Sequence, residues 1–264
     1  MVHIIPAIPV AAKPIAGWPS NPAMLAEPPD GSRDMKTIGL IGGMSWESTA
    51  SYYRVINKAV RDVKGGLHSA RLVLWSVDFA AIERLQAAGD WDQAGNVLAD
   101  AAVRLERAGA DFVVVCTNTM HVVAEAIERA VDISLLHIAD ATGEAIVAAG
   151  LDRIGLLGTH FTMERDFYRR RLADRFGLDV LVPAARDRDE VHRIIFTELC
   201  VGEIRDASRA TYVRVIEDLA ERGAEGVILG CTEIGLLVSA DDVTVPLFDT
   251  AEIHARAAAE RALV

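Results

Sequence analysis

From Lys36 onward, short apolar runs alternate with segments whose apolar residues recur every three or four positions. The runs TIGLIG, RLVLWSV, DFVVVC, RIGLLG and GVILGC lack the polar alternation of a half-exposed strand. That pattern predicts strands covered on both faces, as in parallel sheets. Segments from Trp46 to Arg61, Ala94 to Arg107 and Ser208 to Glu221 carry the helical period and predict the covering helices. Gly109 and Gly223 follow two of them and predict helix ends. Strand and helix in alternation predict a parallel α/β architecture.

The pattern occurs twice. Ile38 to Gly42 reads like Ile154 to Gly158, an offset of 116 residues (38 to 154). RAGADFVVVCTNT, from Arg107, reads like ERGAEGVILGCTE, from Glu221, with an offset of 114 residues between their glycines (109 to 223). Two matches in the same order at nearly the same spacing predict two related halves.

The repeat assigns positions at the strand ends. Cys116 falls opposite Gly230, Thr117 opposite Cys231, and Thr119 opposite Glu233. Successive strand residues point to opposite faces, so one position decides whether a side chain reaches a site. Ligands of open α/β sheets sit at the carboxyl ends of the strands. Thr117 and Cys231 are therefore expected to face one another across a cleft, with Cys116 turned into packing as small buried cysteines usually are. A strand bulge that carries Cys116 into the site is the alternative.

Composition narrows the chemistry. At 264 residues, half of them apolar, the chain can bury a substantial core. A net charge of −11 gives no basic face for nucleic acid or an anionic membrane. Three scattered cysteines, Cys116, Cys200 and Cys231, make neither a disulfide framework nor a four-ligand zinc site, which points to a cytoplasmic protein. Lys13, Lys36, Lys58 and Lys64 are the four lysines, and none has the setting of a pyridoxal-phosphate Schiff base, so cofactor-free chemistry is expected. Residues 1–34 hold most of the nine prolines and no strand or helix period, which predicts a loose extension. They lack the cationic start of a signal peptide, and Met35 is a candidate functional start.

The stretch GLIGGMSWEST, from Gly39, fits neither nucleotide-loop spacing, and glutamate stands where a nucleophile elbow closes with glycine. It predicts a strand-to-helix turn with Ser45 as N-cap, able to hold a carboxylate. His121 suits acid–base work or a structural hydrogen bond equally, and His160 has the same two readings. Neither has metal-binding spacing. The helical context FTELCVGE places Cys200 in core packing. Cys231, in GCTEIG, ends a strand before an expected helix start, whose positive end would lower the thiol pKa.

As a set, KTIGLIGGMSWEST, CTNTMH, HIADAT and GCTEIGLL resemble the pyridoxal-phosphate-independent aspartate/glutamate racemase family, from about Met35 to the C-terminus. The resemblance implies two pseudo-symmetric Rossmann-like α/β domains with parallel sheets and an active site in the cleft between them. Their expected bounds are 35–136 plus 245–264, and 137–244. It implies no cofactor or metal, a small amino acid substrate, aspartate or glutamate by default, and a homodimer. Family members carry one cysteine before Asn-Thr and another before Thr-Glu. Cys231 matches the second, whereas Thr117 stands at the first and Cys116 lies one residue early.

On that likeness Cys231 and Thr117 are the catalytic pair. Met44, Ser45, Gln86, Asn118, Thr119, Thr159, Thr232 and Glu233 are the substrate contacts, with His121 and Cys116 as auxiliaries. No arginine is visibly committed to a second substrate carboxylate. The second-half cysteine acts on the L face in this family, so L-amino acids are expected to react faster. Two other readings compete: a same-fold cysteine-dependent decarboxylase or isomerase, and a non-catalytic binder of acidic metabolites.

Overall fold

The apolar runs become two separate four-stranded parallel sheets. The computed structural model describes residues 35–264; the expected loose extension and the readings on a leader and a start site concern residues 1–34, which lie outside the described residues. The first sheet has β1 (Ile38–Gly42), β2 (Leu72–Ser76), β3 (Phe112–Val115) and β4 (Ser134–Leu136) in the order β2-β1-β3-β4. The second has β5 (Arg153–Gly158), β6 (Asp179–Leu181), β7 (Gly226–Gly230) and β8 (Leu247–Asp249) in the order β6-β5-β7-β8. Every pairing is parallel.

The two strand orders are the same order. In the first sheet Ile38 pairs with Phe112, and in the second Ile154 pairs with Gly226. Those are the partners that the two sequence offsets relate, so the repeat read along the chain is also a repeat of register.

Ten helices cover the sheets among the described residues. α1 (Trp46–Lys64) follows β1, while α2 (Phe79–Ala88) and α3 (Trp91–Arg107) follow β2. The short α4 (Ala124–Ala130) precedes β4, and α5 (Ile138–Ala148) leads to the second sheet. There α6 (His160–Glu164), α7 (Asp166–Phe176), α8 (Ala185–Thr197) and α9 (Asp206–Glu221) surround the strands, and α10 (Thr250–Leu263) closes the chain. α10 packs on α1. Its buried Ala255, Ala258, Ala259 and Ala262 form a small-residue stripe in one core with Tyr52, Ile56 and Val60, at the spacing that puts residues on one helix face.

Two expectations change. β2 was expected to be covered on both faces like the others, yet Leu74 and Trp75 are 43% and 39% exposed. The reason is its place at the sheet edge, where strand order rather than local sequence decides cover. The Arg104 guanidinium, 4.8 Å from the Trp75 ring centroid, shields part of that face. Second, β8 pairs with β7, so residues 247–249 complete the second sheet instead of belonging with the first from 245 onward. The return to the first sheet is made by α10.

The turn after β1 needs glycine at Gly43, whose φ is +92° and whose added Cβ would lie 2.2 Å from the Val77 carbonyl oxygen. It delivers Ser45 to the N-cap of α1, where Oγ accepts from Ser48 N–H at 3.3 Å.

Candidate active site

The loops after β1, β3, β5 and β7 converge at the carboxyl ends of their strands. They bring Met44 and Ser45, then Thr117, Asn118 and Thr119, then Thr159, and finally Cys231, Thr232 and Glu233 around one cavity. Gln86 of α2 joins them, so all ten residues expected at the catalytic and substrate positions line it. The cavity measures about 30 Å³, room for about two water molecules.

Cys116 and Thr117 separate as the strand alternation requires. Cys116 is completely buried, in the core between the first sheet, α1 and α10, and its N–H donates to Ile41 O at 2.9 Å. Burial pushes its thiol above the ordinary range. Thr117 is partly exposed and lines the cavity.

On the opposite side, Cys231 Sγ donates to Glu233 Oε2 at 3.1 Å. Thr232 Oγ1 donates to the same oxygen at 2.6 Å, and Ser45 Oγ, from the first half, donates to Oε1 at 2.7 Å. Three donors thus converge on the two oxygens of one carboxyl group. Glu233 thereby ties the two halves together across the site.

The expected lowering of the Cys231 pKa is reversed. The chain beyond it makes only a three-residue 3-10 turn, Ile234–Leu236, in place of a helix with a useful dipole. Burial first, then the Glu233 carboxylate and neighbouring Cys200, hold the thiol well above its ordinary range. The resting group is a thiol.

Hydroxyls continue the connection between the halves. Thr119 Oγ1 lies 3.1 Å from Thr159 Oγ1, and each contacts Thr162 Oγ1, at 3.4 and 3.3 Å. Thr250 Oγ1 donates to Leu229 O at 2.8 Å, so it accepts from Asn118 Nδ2 at 2.9 Å. That order fixes the amide orientation. The other amide atom, Asn118 Oδ1, is buried without a hydrogen-bond partner, an open acceptor in a residue that lines the cavity.

His121 does not line the cavity. Its Nδ1–H donates to Thr117 O at 2.8 Å, and Nε2 accepts from Ile138 N–H at 3.2 Å. Both ring nitrogens are engaged by the neutral ring, which positions the backbone of Thr117. His160 lies outside the cavity too, in contact with Glu164 and Asp189, both at 3.2 Å.

Cys200 is the residue that the sequence pattern misplaces. It packs against the second core as expected, but it also lines the cavity from the turn Leu199–Val201 after α8. Burial, followed by Glu233 and Glu47, pushes its thiol up to about 12. Phe79, Ile195 and Phe196 are further lining residues absent from the sequence-derived set. Among the described residues no group of three His, Cys, Asp or Glu side chains could hold a metal ion, and no helix is long and apolar enough to cross a membrane.

Two parallel sheets of like order, with a small cavity where their strand ends meet, define a duplicated α/β protein. The chain belongs to the Asp/Glu/hydantoin racemase family, whose pattern matches residues 41–258. It is 23% identical over 224 residues to the broad specificity amino-acid racemase RacX of Bacillus subtilis, covering 83% of this chain and 95% of that one. A crystal structure from Yersinia pestis, provisionally designated an Asp/Glu racemase, is 57% identical, with a TM-score of 0.83 over 87% of this chain and 100% of that one. An aspartate racemase homologue from Pyrococcus horikoshii is 38% identical, with a TM-score of 0.75 over 86% of this chain and 99% of that one.

Proposed function

We propose that this protein is a cofactor-independent amino acid racemase in which Cys231 and Thr117 serve opposite faces of the substrate α-carbon. One observation carries the reading: a thiol and a hydroxyl at repeat-equivalent positions, one from each half, line the same cavity. Family membership and the racemase relatives support it.

The α-proton of an amino acid is far less acidic than any side chain. Its removal needs a desolvated base and hydrogen bonds placed for the developing carbanion. Cys231 as thiolate is that base, and as thiol it returns a proton to the same face. The hydroxyls of Thr119 and Thr159 are the groups for the α-carboxylate, together with the backbone N–H groups at the start of α1. Threonine has no ionised form near neutral pH, so Thr117 relays a proton, taking one from solvent as it gives one to the carbanion, and is a poor base. With Cys231 on the L face, as the family likeness implies, L-substrates react faster. The overall equilibrium constant in water stays at unity. A homodimer goes with this reading by the family likeness, and a cytoplasmic location by the three scattered cysteines.

Chiral chromatography of products from single enantiomers tests it. The opposite enantiomer should accumulate with carbon count unchanged, and Cys231→Ser should abolish this. A decarboxylated or rearranged product would assign the other thiol chemistry, and saturable binding without any product would make the chain a binder.

A further inference from the structure

No side-chain cation in the cavity lining matches the second carboxylate of a dicarboxylic amino acid. Aspartate or glutamate brings two carboxylates and one ammonium. Among the described residues, the lining contains no lysine, arginine or histidine, and Glu233 is its one charged side chain. The hydroxyls and the start of α1 suit one carboxylate. A second would meet a like charge in a poorly solvated space, where repulsion is strong.

Two acceptors in the same lining suit an ammonium instead. Glu233 carries the negative charge, already oriented by Ser45, Thr232 and Cys231. Asn118 is only 2% exposed and its Oδ1 has no partner. A buried acceptor left open in a binding site calls for a donor. The rest of the wall is uncharged: Met44, Phe79, Ile195, Phe196 and the Cys200 thiol, with the Gln86 amide as a neutral polar group.

We propose that the site selects amino acids with an uncharged side chain, and that Glu233, with Asn118, sets this selection by receiving the α-ammonium. The inference rests on the racemase reading above and replaces its default acidic substrates. Binding the ammonium beside Glu233 also supplies the positive charge that the resting site lacks, which favours the Cys231 thiolate once substrate is in place.

The test is kcat/KM for racemisation by the full chain of L-alanine, L-serine, L-methionine, L-aspartate and L-glutamate, with products resolved by chiral chromatography. At least one neutral substrate should exceed both acidic ones by about tenfold or more. Glu233→Gln should raise KM for the neutral substrates and narrow the neutral-to-acidic ratio. A purely structural role would lower all five rates alike, and an unchanged ratio in a folded variant overturns the part given to Glu233. Aspartate or glutamate turned over as well as the best neutral substrate by the unaltered protein overturns the selectivity and leaves the racemase reading standing. No racemisation of any of the five removes the racemase reading itself.

Discussion

The Cys231 thiol donates to the carboxylate of Glu233, two residues further on, at 3.1 Å. Both the charge and the hydrogen bond favour the protonated sulfur, in addition to burial. For removal of a proton from an L-substrate, the active form is the minor one. The rate of L-to-D conversion should therefore rise with pH across the neutral range. In Glu233→Gln the rising limb should move to lower pH, because the negative charge that opposes thiolate formation is gone. A pH–rate profile of kcat/KM for both proteins measures this, and a limb unmoved by the substitution would show that Glu233 does not govern the thiol.

Cys116→Ala should leave turnover within about twofold and lower stability by about 1 kcal/mol, the cost of removing one small buried group. The residue is completely buried in the core shared with α1 and α10. Urea denaturation and a racemisation assay read the two effects separately. Lost turnover in a folded variant would put the Cys116 thiol at the reacting carbon.

Thr117→Cys should supply the base that the first half lacks. Thr117 lines the cavity at the repeat position of Cys231, so a thiol there is placed for the D face. Exchange of the D-enantiomer should rise by about tenfold or more, while the L-enantiomer changes little. An unchanged ratio between enantiomers would count against the assignment of faces.

Behind Thr117, three completely or nearly buried histidines share the seam where the first sheet meets α5 and α10. The rings of His121 and His137 are 4.5 Å apart, and those of His121 and His254 are 5.9 Å apart. His254 Nε2–H donates to Leu136 O at 2.9 Å and Nδ1 accepts from Tyr52 Oη at 2.8 Å, so the neutral ring satisfies both partners. Burial holds His254 down to about 4 and His137 to about 2. It holds His121 well below its ordinary value, with the neighbouring His137 and His254 adding to the effect. These folded-state values lie below those of the unfolded chain, so the unfolded state binds more protons as pH falls below about 6.5 and stability declines. For His254 alone the loss between pH 7 and pH 5 is roughly 2 kcal/mol. Urea midpoints should fall over that interval, and a flat profile would mean that the cluster is already charged or becomes solvated.

The main architecture is legible in the chain because strands buried on both faces read as plain apolar runs, and β1, β3, β5 and β7 are such strands. Their repeated offsets also carry the register, since Ile38 with Phe112 maps onto Ile154 with Gly226. The separation of Thr117 from Cys116 is legible for the same reason, a period of two. Other features depend on tertiary position. The exposure of Trp75 follows from strand order, and β8 is only three residues long, too short to announce its sheet. Cys200 reaches the cavity because α8 ends beside it, which no local period records. The thiol environment of Cys231 is not legible locally, because a 3-10 turn and a helix can begin with the same residues. The missing cation is partly legible, since no arginine is committed by motif to a second carboxylate, but only the assembled lining shows that Glu233 is its one charged side chain.

The most direct test of the central claim is α-proton exchange in D₂O, followed by NMR for the L- and D-enantiomers of the best substrate. One thiolate at Cys231 facing Thr117 predicts faster loss of the α-proton signal from the L-enantiomer than from the D-enantiomer, with the L exchange abolished in Cys231→Ser. Equal exchange from both enantiomers, or L exchange that survives the loss of the thiol, would contradict it.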